Sequence, residues 1–149
     1  MTESTNTEMR YAGLFRRLFA IFYDSFLLLA ILFVVTAIAN ALNYGKAIEA
    51  GNVFYPLYVM IIFFLSYLYF AWFWINGGQS LGMKTWHIKL QSEEGKNIDW
   101  KISAIRFLSA IFSWAAIGLG FLWAFFDKKN RCWHDLSSRT VIIDLRENN

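Results

Sequence analysis

Asp24 is the residue whose setting most needs a chemical explanation, because this carboxylate lies within an apolar stretch. A carboxylate about two turns into a membrane span costs roughly 2.5 to 3.5 kcal/mol on insertion scales unless it is paired or hydrated. Arg17 is seven residues earlier on the same helix face, about 10 Å away along the axis, and its side chain leans away. We therefore expect a cation or hydrogen-bond donor from another segment, with Arg106 as the first candidate.

The sequence is compatible with two interpretations of Asp24. Ionisable groups inside a membrane commonly bind ions or protons, and they also hold helices together through buried hydrogen bonds. The first interpretation predicts a cation or proton site in the membrane. The second predicts a polar clamp that fixes helix packing.

His134 and Asp135 form a second group, which could relay a proton near neutral pH. Adjacent residues of these types also commonly belong to a loop that caps and solvates itself, and we favour that interpretation. His87 alternates with apolar neighbours in a predicted strand, so we interpret it as structural. Cys132, next to Trp133, is expected to lie at an interface and not to act as a nucleophile.

Sequence motifs of enzymes are missing from the chain. There is no serine or cysteine triad pattern, P-loop, dinucleotide fingerprint or metal-spaced cluster. Cys132 is the single cysteine, which excludes an intramolecular disulfide. We therefore expect no enzymatic activity, no catalytic residue, no metal and no cofactor.

The composition indicates an integral membrane protein. Hydrophobic residues make up 57% of the 149 residues against 17% charged, and 15 Phe, 7 Trp and 7 Tyr exceed the aromatic content of an ordinary soluble domain. The net charge of +3 does not indicate nucleic-acid binding, because the basic residues flank apolar runs instead of forming one stripe. The lipid bilayer is the expected partner.

Three apolar segments organise the chain. Spans are predicted at about residues 18–42 and 53–75, each long enough to cross a bilayer core, and the second ends in an aromatic belt. The third segment covers about residues 103–126. Gly118 and Gly120 lie within it, where a helix can bend or break, so it forms either a helical hairpin or a third span.

The distribution of Lys and Arg favours the hairpin. If the third segment returns to the face it entered from, thirteen basic residues share one face and Lys46 lies on the other. If the third segment crosses the membrane once, eight basic residues lie on one face and six on the other. Since basic residues gather on the cytoplasmic side, we expect a multi-pass protein of a bacterial inner membrane with a cytoplasmic N-terminus.

Short β-rich runs complete the predicted fold. Thr85–Leu90 and Arg139–Leu145 are predicted strands, with a turn at Glu93–Lys96. Short strands need partners, so we expect the two to pair in a small cytoplasmic β element. The fold class is therefore an all-α polytopic membrane protein with that added element. Residues 1–9 are a predicted disordered tail, 10–145 the membrane domain and 146–149 a C-terminal tail.

Three ordered motifs resemble those of the RDD family of small membrane proteins. They are Tyr11–Asp24, Gly78–Lys84 and Trp133–Ile143. The resemblance implies that Arg17, Asp24 and Asp135 are the family's marker residues and a candidate ion or proton site. Arg106, His134 and Lys84 are supporting candidates. Met83 stands where the family commonly has a basic residue, which weakens any assignment of headgroup binding to this loop.

The resemblance implies a function in broad terms. A transport role is suggested for the family, and cation/proton exchange has been proposed for some members. Two spans and a hairpin cannot enclose a pathway, so transport would require a homo-oligomer or a membrane-protein partner. The alternative is a non-transporting scaffold or assembly factor, in which the same residues hold the fold together.

Overall fold

The computed structural model describes residues 9–146. Residues 1–8 and 147–149, which make up most of the two predicted tails, lie outside the described residues.

Two long helices match the predicted spans. Helix α1 covers Leu14–Leu42 and helix α2 covers Tyr55–Ile75. At 1.5 Å per residue they are about 43 Å and 31 Å long, against a hydrocarbon core of about 30 Å. Pro56 stands in the first turn of α2, where the missing N–H removes no helical hydrogen bond. Most of their large apolar side chains are exposed, as lipid-facing helices require.

The third apolar segment is broken, as its glycines predicted. Helix α4 covers Trp100–Ala115, and helix α5, Leu119–Leu122, continues into a 3₁₀ turn at Trp123–Phe125. The two parts are bent by 108°. Ile117 and Gly118 adopt φ of 57° and 76° at the break, a left-handed conformation that ends α4.

A two-stranded sheet joins distant parts of the chain. Strand β1, Ile88–Ser92, pairs antiparallel with strand β2, Thr140–Asp144, with Leu90 opposite Ile142. The segment before α1 joins them, since the Ala12 N–H donates to the Ile142 carbonyl at 2.8 Å. Both ends of the third apolar segment therefore lie at the same end of the molecule, which favours the returning arrangement over a straight third span.

The pairing of the two strands was predicted correctly, but the start of the first one was wrong. Thr85 ends a short helix, α3, Leu81–Thr85, which begins because the Ser80 hydroxyl accepts a hydrogen bond from the Met83 N–H. His87 then adopts a φ of 52°, which is incompatible with a strand. The extended backbone consequently begins at Ile88.

Helix α6, Trp133–Ser138, packs against α4 and leads into β2. The main core lies where the sheet meets the helices near the start of α1 and the end of α2, and it includes Ala20, Trp74, Met83, Ile88 and Leu90. This core fixes the ends of the helices that carry the candidate site.

Candidate functional site

Asp24 lies on α1 and is bound by neutral donors from other segments. The Gly82 N–H donates to its Oδ1 at 2.9 Å, the Tyr69 hydroxyl donates to the same oxygen at 3.2 Å, and the Ser80 hydroxyl donates to Oδ2. The side chain is buried, with 2% of the residue exposed. The expectation of a hydrogen-bond donor from another segment is thus confirmed.

Two glycines explain how the loop after α2 reaches this carboxylate. A Cβ on Gly82 would collide with the backbone carbonyl of Ala20, and a Cβ on Gly78 would collide with the carbonyl of Leu90. Gly78 also adopts a φ of 69°. Gly82 therefore allows the Ser80 hydroxyl and its own N–H to lie against α1, and Gly78 allows the same loop to pack against β1, because a side chain at either position would push the loop away from that neighbour.

Asp135 forms a separate, fully buried cluster with two guanidinium groups. Arg17 Nη1 donates to its Oδ2 at 2.5 Å, Arg106 Nη1 donates to its Oδ1, and the Cys132 N–H donates to Oδ2 at 2.9 Å. Arg106 Nη1 also donates to Thr140 Oγ1 at 2.9 Å. One carboxylate therefore ties α1, α4 and the start of α6 together, and we call these three charged residues the Asp135 cluster.

The predicted pairing of Arg106 with Asp24 is wrong. Among residues 9–146, Arg106 forms its ion pair with Asp135, because α4 packs closely against α6 and presents the guanidinium to that helix. Arg17 does not pair with Asp24 either, in agreement with its predicted direction along α1. Asp24 is bound by neutral hydroxyl and amide donors, and both arginines pair with Asp135.

The Asp135 cluster lowers the pKa of its carboxyl group. Burial alone would raise this pKa, but the charges of Arg106 and Arg17 and the Cys132 N–H hold it below its usual range. The carboxylate is therefore ionised at physiological pH. Burial raises the pKa of the Cys132 thiol to about 11, so this buried cysteine is neutral and unsuited to act as a nucleophile.

His134 is buried beside the same cluster. Burial lowers the pKa of His134 to about 3, and the charges of Arg106 and Arg17 act in the same direction while Asp135 opposes them. The imidazole is therefore neutral at physiological pH, which disfavours a proton relay near neutrality. The predicted capping is confirmed, since Asp135 accepts the Cys132 N–H at the start of α6, but the predicted solvation is wrong because both side chains are buried.

The described residues include a group of metal-ligand types that the sequence did not predict. Ligand atoms of Cys132, His134 and Asp135 lie within 4.8 Å of one another. Both oxygens of the carboxylate already accept from guanidinium groups, and those two positive charges oppose a cation at this position. The donor types could hold a metal, but the electrostatics of the cluster disfavour it.

One predicted site residue, Lys84, lies apart from Asp24 and the Asp135 cluster, and two residues that bind Asp24 were not predicted. Lys84 is exposed on α3, and within residues 9–146 its side chain forms no hydrogen bond or ion pair with Asp24 or the Asp135 cluster. Ser80 and Tyr69 bind Asp24 but were not predicted as site residues. The position of Ser80 between two glycines of the second motif was the available signal, whereas Tyr69 was attributed to an aromatic belt.

A cavity of about 170 Å³ borders both Asp24 and the Asp135 cluster. Its wall is mainly apolar and comes from helices α1 to α6 and strands β1 and β2, with Arg17, Asp24, Arg106 and His134 among the lining residues. The cavity gives the buried charged groups a shared space into which a small molecule could fit.

Comparison with known proteins identifies one family. The RDD family model matches residues 11–139, which is most of the chain. No match was found among curated proteins. No solved structure matches the chain either. With most of its length matched and two apolar helices long enough to cross a membrane among the described residues, this chain belongs to the RDD family of membrane proteins.

Proposed function

We propose that the protein has a transport-related role in which Asp24 binds a proton or a small cation within the bilayer. The supporting observation is the setting of this carboxylate, which is buried in a membrane-spanning helix. The partners that it has within residues 9–146 are the neutral groups of Tyr69, Ser80 and Gly82. A proton or cation would supply the charge compensation that these dipoles provide only in part.

Cation/proton exchange is the specific activity that we propose. If one carboxylate binds either a proton or a cation, occupancy by one excludes the other, and alternate exposure couples their movements. The hydroxyl oxygens of Ser80 and Tyr69 lie against Asp24 and are ligand types that small hard cations accept. Asp135 is not proposed as an ion ligand, because both of its oxygens bind arginine.

The proposal places the protein in a bacterial inner membrane as a multi-pass protein with a cytoplasmic N-terminus, following the distribution of Lys and Arg. It requires a homo-oligomer or a membrane-protein partner, because two spans and a bent third segment are too few to surround a pathway. It includes neither an enzymatic activity nor nucleic-acid binding. Reporter fusions after Tyr44 and after Gly95 would test the orientation, with the second expected on the cytoplasmic side.

The activity is tested by cation-driven proton flux in everted vesicles from a host that lacks its main sodium/proton antiporters. Wild type and Asp24→Asn are compared at equal membrane abundance. Asp99→Asn is the matched control, since Asp99 is an exposed helix N-cap and asparagine caps helices as well. We expect flux in wild type and the control and its loss in Asp24→Asn.

A non-transporting scaffold or assembly factor is the second candidate function. It is favoured by the observation that both carboxylates join different helices: Asp24 holds α3 and α2 on α1, and Asp135 holds α4 and α1 on α6. Well-inserted wild type without any cation-driven flux would support this candidate and refute the exchange activity. Reduced abundance of Asp24→Asn, with flux present in wild type, would assign Asp24 to folding as well.

A further inference from the structure

The Asp135 cluster and the adjacent His134 contain unused hydrogen-bonding capacity. Arg17 Nη2, Arg106 Nε and His134 Nδ1 are buried and have no hydrogen-bond partner within residues 9–146. Only 2%, 4% and 6% of these three residues are exposed. A buried guanidinium N–H without an acceptor is costly, because it loses its hydrogen bond to water without replacement.

The cluster also carries an uncompensated charge. Two guanidinium groups face one carboxylate, and His134 is neutral, so the cluster has a net charge of +1. Asp24 lines the same cavity, but its carboxylate is held by Ser80 and Gly82 and forms no ion pair with either arginine within the described part of the chain. An added anion would offset the cost of the buried positive charge.

All three residues line the cavity of about 170 Å³, whose wall is otherwise mainly apolar. A cavity of about 150 Å³ is large enough for a benzene molecule. Phe107, Ile111 and Phe121 supply apolar surface that an inorganic anion would leave uncovered. A two-chain phospholipid is far larger than this space.

We propose that the cavity binds a small organic acid with a single carboxylate and a compact apolar body of about the size of benzoate. Arg17 and Arg106 supply donors and positive charge for the carboxylate. The aromatic and aliphatic wall encloses the apolar body. The proposal concerns binding alone and does not depend on cation/proton exchange.

Equilibrium dialysis of radiolabelled benzoate against the purified full-length protein in detergent micelles tests the proposal. We expect saturable binding that unlabelled benzoate displaces and that neither benzyl alcohol nor inorganic phosphate displaces. Benzyl alcohol has the apolar body without the charge, and phosphate has the charge without the apolar body. Absence of saturable binding, or equal displacement by either competitor, would overturn the proposal.

A variant in the cavity wall distinguishes benzoate binding at this site from non-specific binding to the protein or the micelle. Ala110 lines the cavity on α4 and has no polar or charged side-chain group, so Ala110→Leu fills the space without removing a charge. We expect benzoate affinity to fall by about tenfold or more in this variant, which corresponds to at least ~1.4 kcal/mol. Ala115→Leu, at an exposed position of the same helix, is the matched control and should bind like wild type.

The size of the ligand is tested by palmitate, which has the same carboxylate on a long chain. If the cavity selects a compact acid, palmitate should displace benzoate no better than unlabelled benzoate does. Stronger displacement by palmitate would assign the site to membrane fatty acids and contradict the proposed ligand class. Unchanged benzoate affinity in Ala110→Leu would show that binding occurs elsewhere and would also refute the proposal.

Discussion

Arg17 on α1 and Asp135 on α6 form an ion pair of 2.5 Å across 118 residues of sequence. Arg106 binds the other oxygen of the same carboxylate, so α4 joins the contact. Because the carboxylate serves two cations, the three residues are not equivalent. The loss of Asp135 would leave two buried positive charges, whereas the loss of one arginine leaves a single balanced pair.

This asymmetry predicts that Asp135→Asn is more destabilising than Arg106→Gln. Breaking a buried pair by removing one partner costs about 3 to 5 kcal/mol, and Asp135→Asn should lie at the upper end of that range. Thermal unfolding in detergent, monitored by tryptophan fluorescence, measures the stability of both variants. Equal destabilisation, or a larger effect of Arg106→Gln, would contradict this account of the cluster.

Gly82 is predicted to be required for the packing of α3 on α1. Gly82→Ala would place a methyl group against the Ala20 carbonyl and the Asp24 side chain, so the loop must shift and the hydrogen bonds to Asp24 weaken. Overpacking of this kind costs about 1 to 3 kcal/mol. Gly77→Ala is the control, because a Cβ there meets no atom within 4 Å. A comparison of melting temperatures should show a loss only for Gly82→Ala.

Much of this architecture follows from local sequence. The two spans, the break at Gly118 and the pairing of the two β runs were predictable, because apolar length, glycine conformation and the need of a strand for a partner are properties of short segments. The partners of Asp24 were not predictable from local sequence. They depend on which helices pack together, and the packing of α4 on α6 takes Arg106 to Asp135.

The neutral donors were missed for a related reason. A serine and a tyrosine carry no formal charge, so neither stands out as compensation for a carboxylate in a sequence. Ser80 is recognisable only once its helix-capping position and the close approach at Gly82 are seen together. Tyr69 occurs in an aromatic-rich run of α2, where its hydroxyl contact with Asp24 is one of many plausible orientations.

Cys132 is predicted to react slowly with N-ethylmaleimide in the native protein. The thiol is buried, and its pKa of about 11 leaves almost no thiolate at neutral pH. Mass spectrometry of labelled protein measures the rate. Thr85→Cys in a Cys132→Ala background, with an exposed thiol, is the fast-reacting reference, and equally fast labelling of native wild type would refute the burial of Cys132.

His134 is predicted to make the protein less stable as the pH falls below about 6.5. Its pKa is about 3 in the folded state, because burial and the charges of Arg106 and Arg17 oppose protonation more strongly than Asp135 favours it. In the unfolded chain the histidine pKa returns to about 6.5. The unfolded state therefore binds more protons between these two pH values, and stability falls with decreasing pH by up to about 1.4 kcal/mol per pH unit.

The measurement is the free energy of unfolding, or the melting temperature, between pH 7 and pH 5, a range chosen to lie above the titration of ordinary carboxyl groups at about pH 4. His134→Asn should flatten the dependence, because asparagine has no proton to gain. His87→Asn is the matched control, since His87 is exposed and lies outside both clusters, and it should keep the slope of wild type. An unchanged slope in His134→Asn would show that His134 is not a neutral buried imidazole in the folded protein.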